Sequence, residues 1–183
     1  MSWATPILIL LAAYLAVFVE TAFELPRHLL GTQVDLLPGL MVYAALSAGP
    51  GTIAMLACLG GLCFDAFSAN PGGISILPLL VIGWLIQRKK RLLLRDEVFA
   101  QVVLGLFASA AMPAMVALSL GGIGETPLVG WVTLWQWTVM TLVGAASTPL
   151  WFKLLDALND AITYPLSKTQ AFRSDRQIKR GRT

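Results

Sequence analysis

Charge is scarce in this sequence. Asp, Glu, Lys and Arg together make up 13% of the 183 residues, about half the roughly 25% of a soluble domain. There is one histidine, His28, and there are two cysteines, Cys58 and Cys63. Each shortage excludes something. A single histidine without a partner motif offers no histidine-based metal set. Two cysteines inside one apolar run have no metal-site spacing and imply no disulfide framework. His-Glu-x-x-His, Gly-x-Ser-x-Gly and a phosphate-cradling glycine loop are all absent. The acids are isolated except near the end of the last apolar run, so no nucleophile, acid or base has an evident partner. The expectation is a protein that is not an enzyme and that uses no cofactor or metal.

What is abundant is apolar surface. Hydrophobic residues make up 57% of the chain, and its mean hydropathy is +0.74. At about 20 residues per span, the length suits five or six transmembrane helices and leaves no room for a second soluble domain. The fold class expected is all-α, a polytopic integral membrane protein.

The apolar runs and their breakers predict helices over 6–23, 36–48, 51–67, 72–87, 98–120 and 131–158. The first has no basic leader and no Ala-x-Ala cleavage signal, so it reads as a span rather than a signal peptide. Its Ala12 and Ala16 form a small-xxx-small pair suited to close helix contact. Asp35 reads as the N-cap or first-turn residue of the second helix, with Pro38 tolerated early. Gly49-Pro50-Gly51 is too tight for a loop and makes the second and third helices a hairpin. Pro78 is expected to kink the fourth helix and Pro113 to interrupt the fifth.

Eleven of the 13 basic residues fall in 88–95 and 168–182. Basic segments next to spans stay in the cytoplasm. The two clusters follow the fourth and sixth helices, so a six-span chain with both termini cytoplasmic is self-consistent, and five spans are not. Trp3, Trp84 and Trp151 then lie near inner ends and Trp131 near an outer end. Residues 1–165 are read as one six-helix domain and 166–183 as a basic flexible cytoplasmic tail. The connector Arg88-Lys89-Lys90-Arg91 reads as a topology signal in contact with anionic lipid rather than as a phosphate site. The tail also suits lipid or a cytoplasmic protein better than nucleic acid.

Asp65 is the conspicuous acid, at the end of the third helix, where the helix dipole disfavours an anion. Its expected partners are the free N–H groups at the start of the next helix, at Gly72, Gly73 and Ile74, with Ser68 on its own face. Asn70-Pro71-Gly72-Gly73 supplies turn chemistry. Asp35, Asp65, Ser68, Pro71, Gly72 and Gly73 are therefore read as a structural hinge set, the rival for Asp65 being a substrate or ion site. Small residues at Ala54, Ala57 and Gly61, and at Gly144, Ala145 and Ser147, are candidate faces for a partner's transmembrane helix, or serve internal packing.

These features occur in a familiar order. Asp35-Leu36-Leu37 precedes Val42-Tyr43-Ala44 and Gly49-Pro50-Gly51. Gly60-Gly61-Leu62-Cys63-Phe64-Asp65-Ala66-Phe67-Ser68 follows, then Pro71-Gly72-Gly73 and Gly83-Trp84-Leu85. Over 35–158 the chain resembles the MreD family of rod shape-determining proteins. It departs from that pattern at Gly72, where the family usually has Leu, and in its longer, more basic tail; at the next helix start, where the family often has a polar residue or His, this chain has Ser75. The resemblance implies a non-enzymatic scaffold of the elongasome in the bacterial inner membrane. Its partners would be an MreC-like bitopic protein, MreB, and RodA with its transpeptidase, acting in cell shape and peptidoglycan synthesis along the side wall. It also implies a bundle similar to the substrate-binding subunits of energy-coupling-factor vitamin transporters. That supplies the alternative function, a vitamin-binding subunit with Trp131, Trp135 and Trp137 lining an outer cavity.

Overall fold

The computed structural model describes residues 4–22, 31–32, 34–68, 71–90, 97–124 and 130–163. Trp3, Asn70, Arg91 and the 166–183 tail lie outside the described residues. Within them the chain is all helical: α1 Ala4–Ala22, α2 Leu37–Ser47, α3 Pro50–Phe67, α4 Ile76–Lys89, α5 Val98–Gly122 and α6 Trp131–Thr163. The breakers set these limits. Pro50 starts α3 within its first turn, where its missing N–H leaves no bond unmade. Pro78 falls at the third position of α4, an equally tolerant place, so the kink expected there has no cause. Pro113 lies inside α5 without ending it, and Pro149 lies inside α6.

Four helices, α1, α3, α5 and α6, are long and apolar enough to cross a membrane. With 11 and 14 residues, α2 and α4 measure about 16 and 21 Å at 1.5 Å per residue, short of a hydrocarbon core of about 30 Å. The six spans expected from the runs are therefore four long helices and two short ones.

The short α2 is the centre of the bundle. The other five helices form a ring in the order α1, α3, α4, α5, α6 and back to α1, and α2 packs against each of them. Residues Leu37 to Ala45 of α2 are all buried, as a helix apolar on every side must be. Between helices in lipid, burial gains little from leaving water, and close packing supplies the cohesion. Glycines make that packing possible. A Cβ on Gly105 would overlap Thr148, and one on Gly144 would overlap Ser109, which draws α5 onto α6. A Cβ on Gly39 would stand 3.0 Å from the Thr148 hydroxyl and 3.1 Å from that of Ser147, so α2 fits closely against the same helix. Tyr43 crosses from α2 to α6, stacking edge-on against Phe152 with centroids 5.0 Å apart and donating its hydroxyl to Asp156 at 2.9 Å. The start of α1 meets the end of α6, where the Thr5 hydroxyl donates to Asn159 at 3.1 Å.

Candidate functional site

Three carboxyl groups, those of Asp65, Asp35 and Glu20, meet backbone N–H groups at two helix starts. The first is the turn between α3 and α4. Gly61 faces the beginning of α4 so closely that a Cβ there would lie 3.0 Å from the Ile76 backbone nitrogen. Asp65 is one turn further along on the same face. It is 2% exposed. One carboxyl oxygen accepts the N–H groups of Gly73 at 2.8 Å and Ser75 at 3.1 Å. The other accepts the Ser75 hydroxyl at 2.5 Å. These are donors that a helix start leaves without intrahelical partners. Gly73 adopts φ +94°, a left-handed conformation that side chains disfavour, and this turns its N–H toward the acid.

The structure thus brings Asp65 and Gly73 together and adds Ser75, which the hinge set omitted. Ser68 closes α3 instead. Its N–H caps the carbonyls of Phe64 and Asp65, and its hydroxyl reaches the Asp65 carbonyl at 3.4 Å. Pro71 and Gly72 are exposed and form the outside of the turn.

The second gathering is the start of α2. Asp35, 4% exposed, stands one residue before the α2 N-cap Leu36 rather than at the cap or in the first turn, and it accepts the Leu37 N–H at 3.0 Å. Beside it Glu20, near the end of α1, accepts the Leu36 N–H at 2.5 Å. Burial pushes the Asp35 carboxyl above the usual carboxylate range, and its bond from Leu37 opposes that shift. Glu20 was unremarkable in the sequence, since nothing local links it to a position 16 residues on.

The faces expected to receive a partner helix are turned inward. Ala57, Gly61, Gly144 and Ala145 are buried and Ser147 is half-buried; of the six, Ala54 alone is exposed. Gly61 is occupied by Ile76, and Gly144 by Ser109. Gly61 and Gly144 here serve the bundle's own contacts. Trp131 and Trp135 are exposed. The Trp137 indole N–H donates to the Ala110 carbonyl at 2.9 Å and ties α6 to α5. Trp137 edges a shallow groove with Leu134, Thr138, Thr141 and Leu142. A second groove of about 200 Å³ runs between α1 and α6, lined by apolar side chains that include Leu11, Leu15, Trp151 and Leu154. In the basic connector, Arg88, Lys89 and Lys90 are exposed at the end of α4, and the Arg88 guanidinium lies 3.7 Å over the Trp84 ring.

Chemically, this arrangement anchors helices. Each buried carboxyl described above accepts a backbone N–H at a helix start. Among the described residues, no three His, Cys, Asp or Glu side chains gather to hold a metal. No family model matches the chain, and no curated protein or solved structure matches it.

Proposed function

We propose that this chain is a membrane scaffold of the MreD kind. In this reading it is non-enzymatic, lies in the bacterial inner membrane with both termini in the cytoplasm, and binds an MreC-like bitopic protein. It helps direct side-wall peptidoglycan synthesis and cell shape alongside MreB, RodA and its transpeptidase. The observation that carries the reading is the Asp65 lock. The stretch with the most specific resemblance, Gly61 to Gly73, holds Asp65, whose bonds from Gly73 and from Ser75 beyond it join α3 to α4, as suits a scaffold.

Charge supports the orientation. Gly83 packs on Met41 and Ile53, which puts the basic end of α4 beside the half of α2 that meets Asp156. Arg88, Lys89, Lys90 and Lys153 therefore lie toward the end where α1 begins and α6 finishes. The buried acids lie toward the other. The positive-inside rule makes the first end cytoplasmic.

The test is affinity purification of the intact chain from a mild detergent extract of its membrane, with mass spectrometry of what accompanies it. An MreC-like protein together with wall-synthesis enzymes is the expected result. ATPase subunits and a small organic ligand in their place would overturn the proposal in favour of a vitamin-transporter subunit.

A further inference from the structure

The start of α2 holds two carboxyl groups where one is enough. Glu20 comes from α1 and Asp35 from the connector, and they accept the successive N–H groups of Leu36 and Leu37. A helix N-terminus carries roughly half a positive charge, which suits one anion. The second Glu20 oxygen, Oε2, is buried and has no hydrogen-bond partner among the described residues.

No described cation offsets the pair. On the elements packed around α2, the charged groups are Asp65 on α3, Arg88, Lys89 and Lys90 on α4, and Lys153, Asp156 and Asp160 on α6; α5 has Glu97 at its start. Asp65 is engaged by Gly73 and Ser75. The charges of α4 and α6, and Glu97, belong to the opposite end of the bundle, where Tyr43 meets Asp156. The connector adds Glu24, Arg27 and His28 in sequence, outside the described residues.

Two carboxyls that accept successive N–H groups of one helix start, in apolar surroundings, do not both ionise freely. Such pairs release their protons in two separated steps that belong to the pair. We propose that Glu20 and Asp35 share one proton and together form a latch that holds the end of α1 on the start of α2. Loss of that proton places two anions at one helix start, with Oε2 of Glu20 unsatisfied, and the α1–α2 contact loosens. The latch makes the central helix responsive to pH at the bundle end away from the basic residues.

The sign follows from the direction of the Asp35 shift. An acid whose carboxyl is raised by folding contributes stability that is complete at low pH and is lost as pH rises through the folded value. The experiment uses the full chain purified in mild detergent, with infrared difference spectroscopy and thermal unfolding at stepped pH. Wild type is expected to show the carbonyl stretch of a buried protonated carboxylic acid near neutral pH and to melt at lower temperature as pH rises. Glu20→Gln and Asp35→Asn should each lose that band, and their melting temperature should depend less on pH while remaining close to the wild type's acid-side value. A band retained in both variants overturns the latch, as does an unchanged pH profile. If Arg27→Gln or His28→Gln, and neither carboxyl variant, flattens the profile, a counter-ion holds the pair and proton sharing is wrong. If sodium or potassium chloride restores alkaline stability where choline chloride at equal ionic strength does not, the pair is a cation site and the proposal fails.

Discussion

Replacing Asp65 tests the structural account most directly. Asp65→Ala removes both oxygens from a site that is 2% exposed and strands the N–H groups of Gly73 and Ser75. Each stranded donor costs about 1–3 kcal/mol, so the pair costs about 2–6 kcal/mol. Asp65→Asn keeps one oxygen for those two donors and presents its amide to the Ser75 hydroxyl, which can turn to accept it. Its cost is about 1 kcal/mol, and Ser75→Ala, which removes a single bond, costs about the same. At roughly 2–4 °C per kcal/mol for a chain of this size, Asp65→Ala should melt roughly 5–20 °C below wild type, and Asp65→Asn and Ser75→Ala about 2–4 °C below. Tryptophan fluorescence on heating, in mild detergent and in lipid nanodiscs, provides the measurement. Two results would refute the reasoning. If Asp65→Ala melts with wild type, the lock carries no load. If Asp65→Asn is as damaging as Asp65→Ala, charge rather than hydrogen-bond geometry is what the position supplies, and the rival ligand-site reading of Asp65 gains.

Other substitutions should separate internal packing from partner contact. Gly144→Leu and Gly61→Leu drive side chains into Ser109 and into the Ile76 backbone. Overpacking of this kind costs about 1–3 kcal/mol or more, so both variants should lose melting temperature with no partner present; a normal melt with a weakened partner complex would restore the partner-face reading. Tyr43→Phe leaves the ring on Phe152 and removes the bond to Asp156, for a loss of about 1 kcal/mol read as a small fall in melting temperature. Ala54→Leu, at the one exposed position of the expected faces, should leave the melt unchanged within about 0.5 kcal/mol. Arg88→Ala should lower stability by no more than about 1 kcal/mol, the value of an exposed cation over a tryptophan ring.

Much of the architecture was legible because its signals are local. Run lengths against the thickness of a bilayer gave the class. Prolines, glycines and Gly49-Pro50-Gly51 gave the helix limits to within a few residues, although α4 begins at Ile76, four residues beyond its expected start, because Gly72 to Ser75 form the turn that serves Asp65. An acid at the end of an apolar run required nearby donors, so the Asp65 hinge could be anticipated, while Ser75 among its partners could not. Separations of 16 residues from Glu20 to Leu36 and 113 from Tyr43 to Asp156 leave no local trace.

The sequence by itself determined that this is an apolar, all-helical chain and where its helices break, since length, composition and turn chemistry act within a few residues. Only the tertiary structure decided that the shortest apolar helix stands at the centre, that Gly61 and Gly144 face inward, and that two carboxyls share one helix start. The physical reason lies in the surroundings. In water, polarity separates the outer face of a helix from the inner one. Where lipid and core are equally apolar, as along α2 and α6, polarity no longer marks which face turns inward. The fit of small residues against backbone then decides, and that fit exists only once the helices are together.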